Sequence, residues 1–213
     1  MQHEKQARRP QGTLYIVAAA SGTGKTSLAK ALATTIDNIK ISISHTTRPR
    51  RSGEIPQQDY FFVDPPTFKN LIKHQEFLEY AKVFQHYYGT SRHWVEQQLN
   101  AGNDVILDID WQGAKQVRTQ IACVSIFLLP PSRQELRLRL EKRKREDVKI
   151  IANRLATASS EIAHCKEFDY IIVNDKFAQA LNDLTTIVLS KRLQCELQTK
   201  KHATLIAELL KKY

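Results

Sequence analysis

Residues Ala19 to Thr26 read A-A-S-G-T-G-K-T, between the apolar run Leu14, Tyr15, Ile16, Val17, Ala18 and the helix-like stretch from Ser27 to Leu32. Strand, glycine-containing loop, helix is the order in which backbone N–H groups at a helix N-terminus can close around phosphate oxygens. Gly22 and Gly24 keep Cβ atoms out of the way, Lys25 has the reach for β- and γ-phosphates, and Thr26 offers a hydroxyl to Mg²⁺. The eight-residue pattern usually opens on glycine, and that position is Ala19 here. A strand feeding such a loop needs a buried parallel sheet behind it, so the expected class is α/β.

Further apolar runs at Ile41 to Ser44, Val105 to Asp110, Val124 to Leu129 and Tyr170 to Asn174 read as the other core strands. Helix-length segments with apolar residues three and four apart separate most of them, as a parallel sheet flanked by helices requires. Ligands of such sheets bind at the carboxyl ends of strands, which directs attention to Ala18, Asp110 and Asn174. The stretch from His45 to Arg92 breaks the alternation. It carries Tyr60 to Val63, a helix signal after Pro65 and Pro66, β-formers from Phe77 to Phe84, and Y-Y-G-T, and it reads as a small mixed insertion. After Pro130 and Pro131 comes a basic segment with helical spacing at Leu136, Leu140, Ile150, Ile151 and Leu155. From Asp175 onward the pattern predicts two helices, with Ala178, Leu181, Leu184, Ile187 and Val188 as the apolar stripe.

With 213 residues, 42% of them hydrophobic, the chain can bury one sizeable core and carry small insertions. Its formal charge of +10 fits nucleic acid, an anionic membrane surface or small phosphorylated substrates. Between Pro131 and Ser160, nine Lys or Arg stand against four acids, so half of the excess lies in one short segment. Cys123, Cys165 and Cys195 are widely spaced, without the pairing of a zinc site or a disulfide framework. No apolar run approaches the ~20 residues that span a bilayer. The first ten residues lack the apolar stretch of a secretory signal, so a cytoplasmic protein without a membrane partner is expected.

Ser44 to Glu54 reads S-H-T-T-R-P-R-R-S-G-E, with three arginines in four residues on a loop after a strand. Guanidinium forks match phosphate oxygens in pairs, so the loop is a candidate oxyanion clamp, although a solvated basic turn has the same composition. Farther on, Phe77, Leu78, Glu79, Tyr80 and then Tyr87, Tyr88, Gly89, Thr90 place one carboxylate beside aromatic surfaces and a hydroxyl. A carboxylate accepts from two adjacent donors, and guanine offers such a pair through N1–H and its 2-amino group.

S-G-T-G-K-T, S-I-S-H-T-T-R with R-R-S-G-E, D-Y-F-F, F-L-E-Y-A, Y-Y-G-T, I-L-D-I-D-W-Q-G-A, L-L-P-P-S and I-I-V-N-D follow one another in an order and spacing that resembles the guanylate kinases. The resemblance runs from about Gly12 to Leu193. It implies a P-loop parallel sheet flanked by helices, with a small mixed α/β nucleotide-monophosphate-binding insertion and a helical lid. It also implies transfer of the γ-phosphate of ATP to GMP or dGMP with Mg²⁺, in purine nucleotide metabolism. The corresponding organisation is core at 11–43, GMP-binding insertion at 44–92, core at 93–130, lid at 131–160, then core and C-terminal helices at 161–213.

By the same resemblance, Ala19, Ala20, Ser21, Gly22, Thr23, Gly24, Lys25, Thr26 and Asn174 would hold ATP, with Asp108 joining Thr26 at the metal. Arg48, Arg51, Tyr60 and Tyr88 would bind the GMP phosphate, while Ser44, Glu79, Thr90 and Asp110 would read the base. Lys25 and Arg48, together with Arg139, Arg143 and Arg154 of the lid, would stabilise the transferring phosphoryl group. The chain departs from the family pattern at Pro49, Arg50 and Arg51, which stand where the family commonly shows a residue, then Pro, then Arg, so that Arg51 takes the family position. It departs again at Lys142 and Lys144, where glycines usually flank the lid arginine, and at Thr90, which replaces a frequent Ser. Two other classes fit parts of the sequence: a scaffold module of this fold that binds protein partners, and a kinase of another nucleotide or an RNA-binding P-loop protein. An intact phosphate loop speaks against the first. The lack of a basic stretch interleaved with aromatics speaks against nucleic acid as a partner.

Overall fold

The computed structural model describes residues 11–83, 85–142 and 148–211. The expectations for the first ten residues, Phe84, Arg143 and Lys144, and for the side chains of Ile150 and Ile151, lie outside the described residues.

In chain order the elements are β1 (Leu14–Ala19), α1 (Lys25–Thr35), β2 (Ile39–Ile41), β3 (His45–Thr46), β4 (Phe61–Phe62), α2 (Pro65–Lys73), β5 (Phe77–Val83), β6 (His86–Ser91) and α3 (Arg92–Asn100). There follow β7 (Asp104–Asp108), α4 (Trp111–Arg118), β8 (Cys123–Leu129), α5 (Arg133–Lys142), α6 (Val148–Ala163), β9 (Tyr170–Val173), α7 (Phe177–Arg192), α8 (Cys195–Lys201) and α9 (Ala203–Leu209). The strands form two sheets. One is a five-stranded parallel sheet in the order β2-β7-β1-β8-β9, and the other is a four-stranded mixed sheet in the order β4-β3-β6-β5.

β1 is central and covered on both faces, which is why its sequence is an unbroken apolar run rather than an alternating one. Tyr15 and Val17 face α1 and α7, packing with Leu28, Leu32, Leu184 and Val188. Leu14 and Ile16 face α3 and α4, packing with Val95, Leu99, Ala114 and Val117. Leu78 of β5 joins that second cluster, so the mixed sheet is anchored to the parallel one through shared apolar contact. Gln116 on α4 tightens the junction: its side chain accepts from Tyr80 N at 3.1 Å and donates to Tyr80 O at 2.7 Å, as a neighbouring strand would.

Several boundaries differ from the sequence reading, each for a local reason. The strand expected at Ile41 to Ser44 is β2, which starts two residues earlier and ends three residues earlier. Ser42 N still reaches Ile106 O at 2.9 Å, but the Ser44 carbonyl already accepts from Phe61 N in the other sheet. β7 ends at Asp108, and Asp110 caps α4 instead, accepting from Gly113 N at 2.9 Å. β9 is an edge strand with only Ile172 buried, so it is less a core strand than its composition implied. Past Asp175 the described residues form three helices rather than two, with a break at His202 between α8 and α9. On α7 the buried face is Ala180, Leu184 and Val188, and Ala178 is exposed.

Candidate active site

The loop Ala20 to Gly24 leaves the carboxyl end of β1 and delivers Lys25 as the first residue of α1. Gly22 and Gly24 take φ of 92° and 99°, and a Cβ on Gly24 would stand 2.6 Å from the Asn174 amide nitrogen. Both glycines are therefore required by backbone conformation. Ala19 is the last residue of β1 and is not among the positive-φ residues, so the absent opening glycine removes nothing the turn needs. Thr23 fixes the turn from within, its hydroxyl donating to Ala20 O at 2.8 Å.

At the mouth of the loop, Lys25 Nζ lies 2.8 Å from Asp108 Oδ1 and donates to Ile109 O at 2.6 Å. Thr26 Oγ1 donates to Asp108 Oδ2 at 2.5 Å, so the hydroxyl and carboxylate expected at a metal lie side by side. These are hard oxygen donors of the kind Mg²⁺ takes. No group of three or more His, Cys, Asp or Glu able to hold a metal occurs among the described residues, so an ion here would complete its shell with phosphate and water oxygens.

Across the cleft the mixed sheet supplies the second half. Arg48 is nearly buried, its guanidinium 5.3 Å from the centre of the Tyr60 ring. It donates to Glu54 Oε1 at 2.6 Å and to Pro49 O at 2.7 Å, and Glu54 Oε2 also accepts from Arg51 N at 2.7 Å. Burial opposes ionisation of Glu54, but the bonds from Arg48 and Arg51 outweigh it and hold its carboxyl below the usual range. Burial and the nearby Asp108 raise the Tyr60 phenol to about 12, so it stays a hydrogen-bond donor at neutral pH.

Glu79 projects from β5 into the same space and is 3% exposed. Its Oε1 accepts from the Thr90 hydroxyl at 2.6 Å. Burial is the main reason its carboxyl is pushed up to about 7; Thr90 opposes the shift and the Asp110 charge adds to it. Thr90 thus stands behind Glu79 as its partner.

One cleft of about 270 Å³ gathers most of the expected residues: Ala19 to Thr26, Ser44, Arg48, Arg51, Tyr60, Glu79, Tyr88, Asp108, Asp110 and Arg154. Arg154 arrives from α6, and its Nη1 donates to Ser21 Oγ at 2.9 Å. Arg139 and Asn174 lie behind the loop instead of lining the cleft. Arg139 pairs with Glu135 at 2.8 Å and donates to Asn174 O at 2.9 Å, while the Asn174 amide donates to Thr23 O at 2.7 Å. Arg143 lies outside the described residues.

The cleft also contains residues to which the sequence reading gave no role: Glu54, Ala81, Val83, Ile109 and Glu161. Glu161 accepts from Ser21 N at 3.3 Å, and burial raises its carboxyl above the ordinary value. Ala81 and Val83 follow Glu79 at intervals of two on β5, so strand alternation alone puts them on its face. Glu161 carried no comparable signal, since it meets the loop only through tertiary packing.

The guanylate kinase family model matches residues 11–191, most of the chain. The chain belongs to the guanylate kinase family. Guanylate kinases of Methylococcus capsulatus and Coxiella burnetii are each 51% identical to it, covering 94% and 95% of this chain and 98% of each relative. A crystal structure of guanylate kinase from Anaplasma phagocytophilum superposes with a TM-score of 0.74 at 33% identity, covering 88% of this chain and 89% of that one. In this member of the family one cleft has the glycine-containing loop on one wall and Arg48, Arg51 and the buried Glu79 carboxylate on the other.

Proposed function

We propose that the protein transfers the γ-phosphate of ATP to GMP or dGMP, giving ADP and GDP or dGDP, as a guanylate kinase. The observation that carries this reading is the buried Glu79–Thr90 pair facing the phosphate loop across a single cleft. A carboxylate sequestered from water and open to one cleft matches the adjacent N1–H and 2-amino donors of guanine. Adenine presents no such pair.

In the proposed division of labour, Ala19 to Thr26 hold the ATP phosphates and Asn174 braces the loop from behind. Arg48, Arg51, Tyr60 and Tyr88 hold the GMP phosphate. Ser44, Glu79 and Asp110 read guanine, with Thr90 orienting Glu79. Thr26 and Asp108 would hold Mg²⁺, which when bound neutralises charge on the β- and γ-phosphates. A GMP phosphate oxygen attacks the γ-phosphorus in line. The new O–P bond forms as the bond to the β,γ-bridging oxygen breaks, and that oxygen leaves with ADP. The GMP phosphate is already largely ionised at neutral pH, so no general base is assigned. Lys25, Arg48 and Arg154 supply positive charge to the transferring group, joined by Arg139 and Arg143 when the lid closes.

We read 44–92 as the GMP-binding unit, 131–160 as the lid, and 11–43, 93–130 and 161–213 as the core. A cytoplasmic location and the absence of nucleic-acid and membrane partners belong to the same reading; no helix among the described residues is long and apolar enough to cross a membrane. The test is ADP release from ATP with GMP, AMP, CMP or UMP as acceptor. Turnover confined to GMP, and to dGMP when it is added, is the expected result. Equal turnover of AMP overturns the assignment.

A further inference from the structure

Gly113 is the third residue of α4, a position where helix propensity favours alanine over glycine. Its φ is not among the positive ones, so backbone conformation does not call for glycine. A residue that breaks a local rule without a backbone reason points to a constraint from outside the helix. That constraint is Glu79. A Cβ on Gly113 would stand 2.5 Å from Glu79 Oε2 and 3.1 Å from its Cδ, well inside contact distance. Glu79 has little room to retreat, being 3% exposed and held at Oε1 by the Thr90 hydroxyl at 2.6 Å. The same glycine donates its backbone N–H to Asp110 Oδ1 at 2.9 Å.

We propose that Gly113 is a positioning residue for guanine recognition: its missing side chain lets α4 lie against Glu79 and sets where Oε2 points, while its N–H sets the orientation of Asp110. The inference rests on Glu79 being a reader of the base. Both carboxylates that face the guanine end of the cleft are thereby registered to one helix turn. An added methyl group moves the first without touching the phosphate loop.

The experiment measures KM for GMP, inosine monophosphate and ATP in wild type, Gly113→Ala, Glu79→Ala and Gly113→Ala/Glu79→Ala. Inosine monophosphate lacks the 2-amino group, so a displaced carboxylate has less to lose with it. Gly113→Ala is expected to raise KM for GMP about tenfold or more, to leave KM for ATP within about twofold, and to shrink the preference for GMP over inosine monophosphate. In the Glu79→Ala background the same substitution should add less than about twofold, because the group it displaces is gone. An unchanged KM for GMP, a parallel rise for ATP, or an equal penalty in both backgrounds overturns the proposal. The double variant folds even where the single one does not, since the clash is removed; failure of both to fold also overturns it. If Glu79→Ala leaves KM for GMP unchanged, the reading of Glu79 falls and this inference with it. A normal Glu79 effect beside a silent Gly113→Ala overturns the inference alone.

Discussion

In the proposed mechanism Lys25 and Glu79 divide the chemistry between charge delivery and base recognition, and each can be removed separately. Lys25 is held at the loop mouth by Asp108 and the Ile109 carbonyl, so Lys25→Ala removes a cation without opening the core. A rate loss of at least about a hundredfold is expected, the scale of a lost preorganised donor, with the circular dichroism of wild type. Near-normal turnover would remove Lys25 from the mechanism. Glu79→Gln keeps the shape and loses the charge-assisted pair, worth about 1.5–3 kcal/mol, so KM for GMP should rise about 10- to 100-fold with KM for ATP nearly constant. The same residue carries a pH dependence. With its carboxyl raised from the ordinary 4.5 to about 7, the ligand-free site is protonated below neutrality and ionised above it. KM for GMP should therefore fall as pH rises from about 6 to about 8, and Glu79→Gln, which still leaves the GMP phosphate to titrate, should flatten the part that Glu79 contributes. For stability the sign reverses. The folded chain holds this proton more tightly than the unfolded chain, so the contribution is complete below 4.5 and is lost as pH rises through about 7.

Elements are where legibility in the sequence divides most sharply. β1, β7 and β8 were readable because a strand buried on both faces needs an unbroken apolar run, and the phosphate loop because its spacing encodes its own geometry. Ile41 to Ser44 misled because one short apolar run serves two sheets, and composition does not reveal where the chain crosses between them. Glu161 and Gly113 were silent because their roles come from helices that meet the cleft only in three dimensions. So was Arg192, at the end of α7. Its Nε reaches Asp104 Oδ2 at 2.8 Å while Asp104 Oδ1 accepts from Thr13 N at 2.7 Å, tying α7 to β7 and to the entry of β1. Asp104 is 5% exposed, so Arg192→Ala leaves a buried carboxylate without its cation and should cost about 3 kcal/mol, read from the denaturant midpoint. A shift under about 1 kcal/mol would reduce this contact to an ordinary surface pair.

At the scale of the whole molecule, the charge has a different meaning from the one its total suggests. A net +10 with half its excess between Pro131 and Ser160 invites the view that the basic segment exists for phosphates. Yet of that segment only Arg154 lines the cleft among the described residues, whose basic members there are Lys25, Arg48, Arg51 and Arg154. Against them stand Glu54, Glu79, Asp108, Asp110 and Glu161, so the lining formed by the described residues is close to balanced, which favours anion recognition by geometry over recognition by a broad positive field. A polyanion gains little from such a site, whereas a mononucleotide can use every paired donor in it. GMP at a hundred times its dissociation constant should stabilise the chain by about 2.7 kcal/mol, which for 213 residues corresponds to a rise in unfolding temperature of about 5–10 °C. Single-stranded RNA at equal phosphate concentration and about 0.15 M salt should leave that temperature within about 1 °C, since non-specific binding is screened there. The reverse order, a large shift with RNA and none with GMP, would mean that the surface charge, and not the cleft, is the functional feature of the fold.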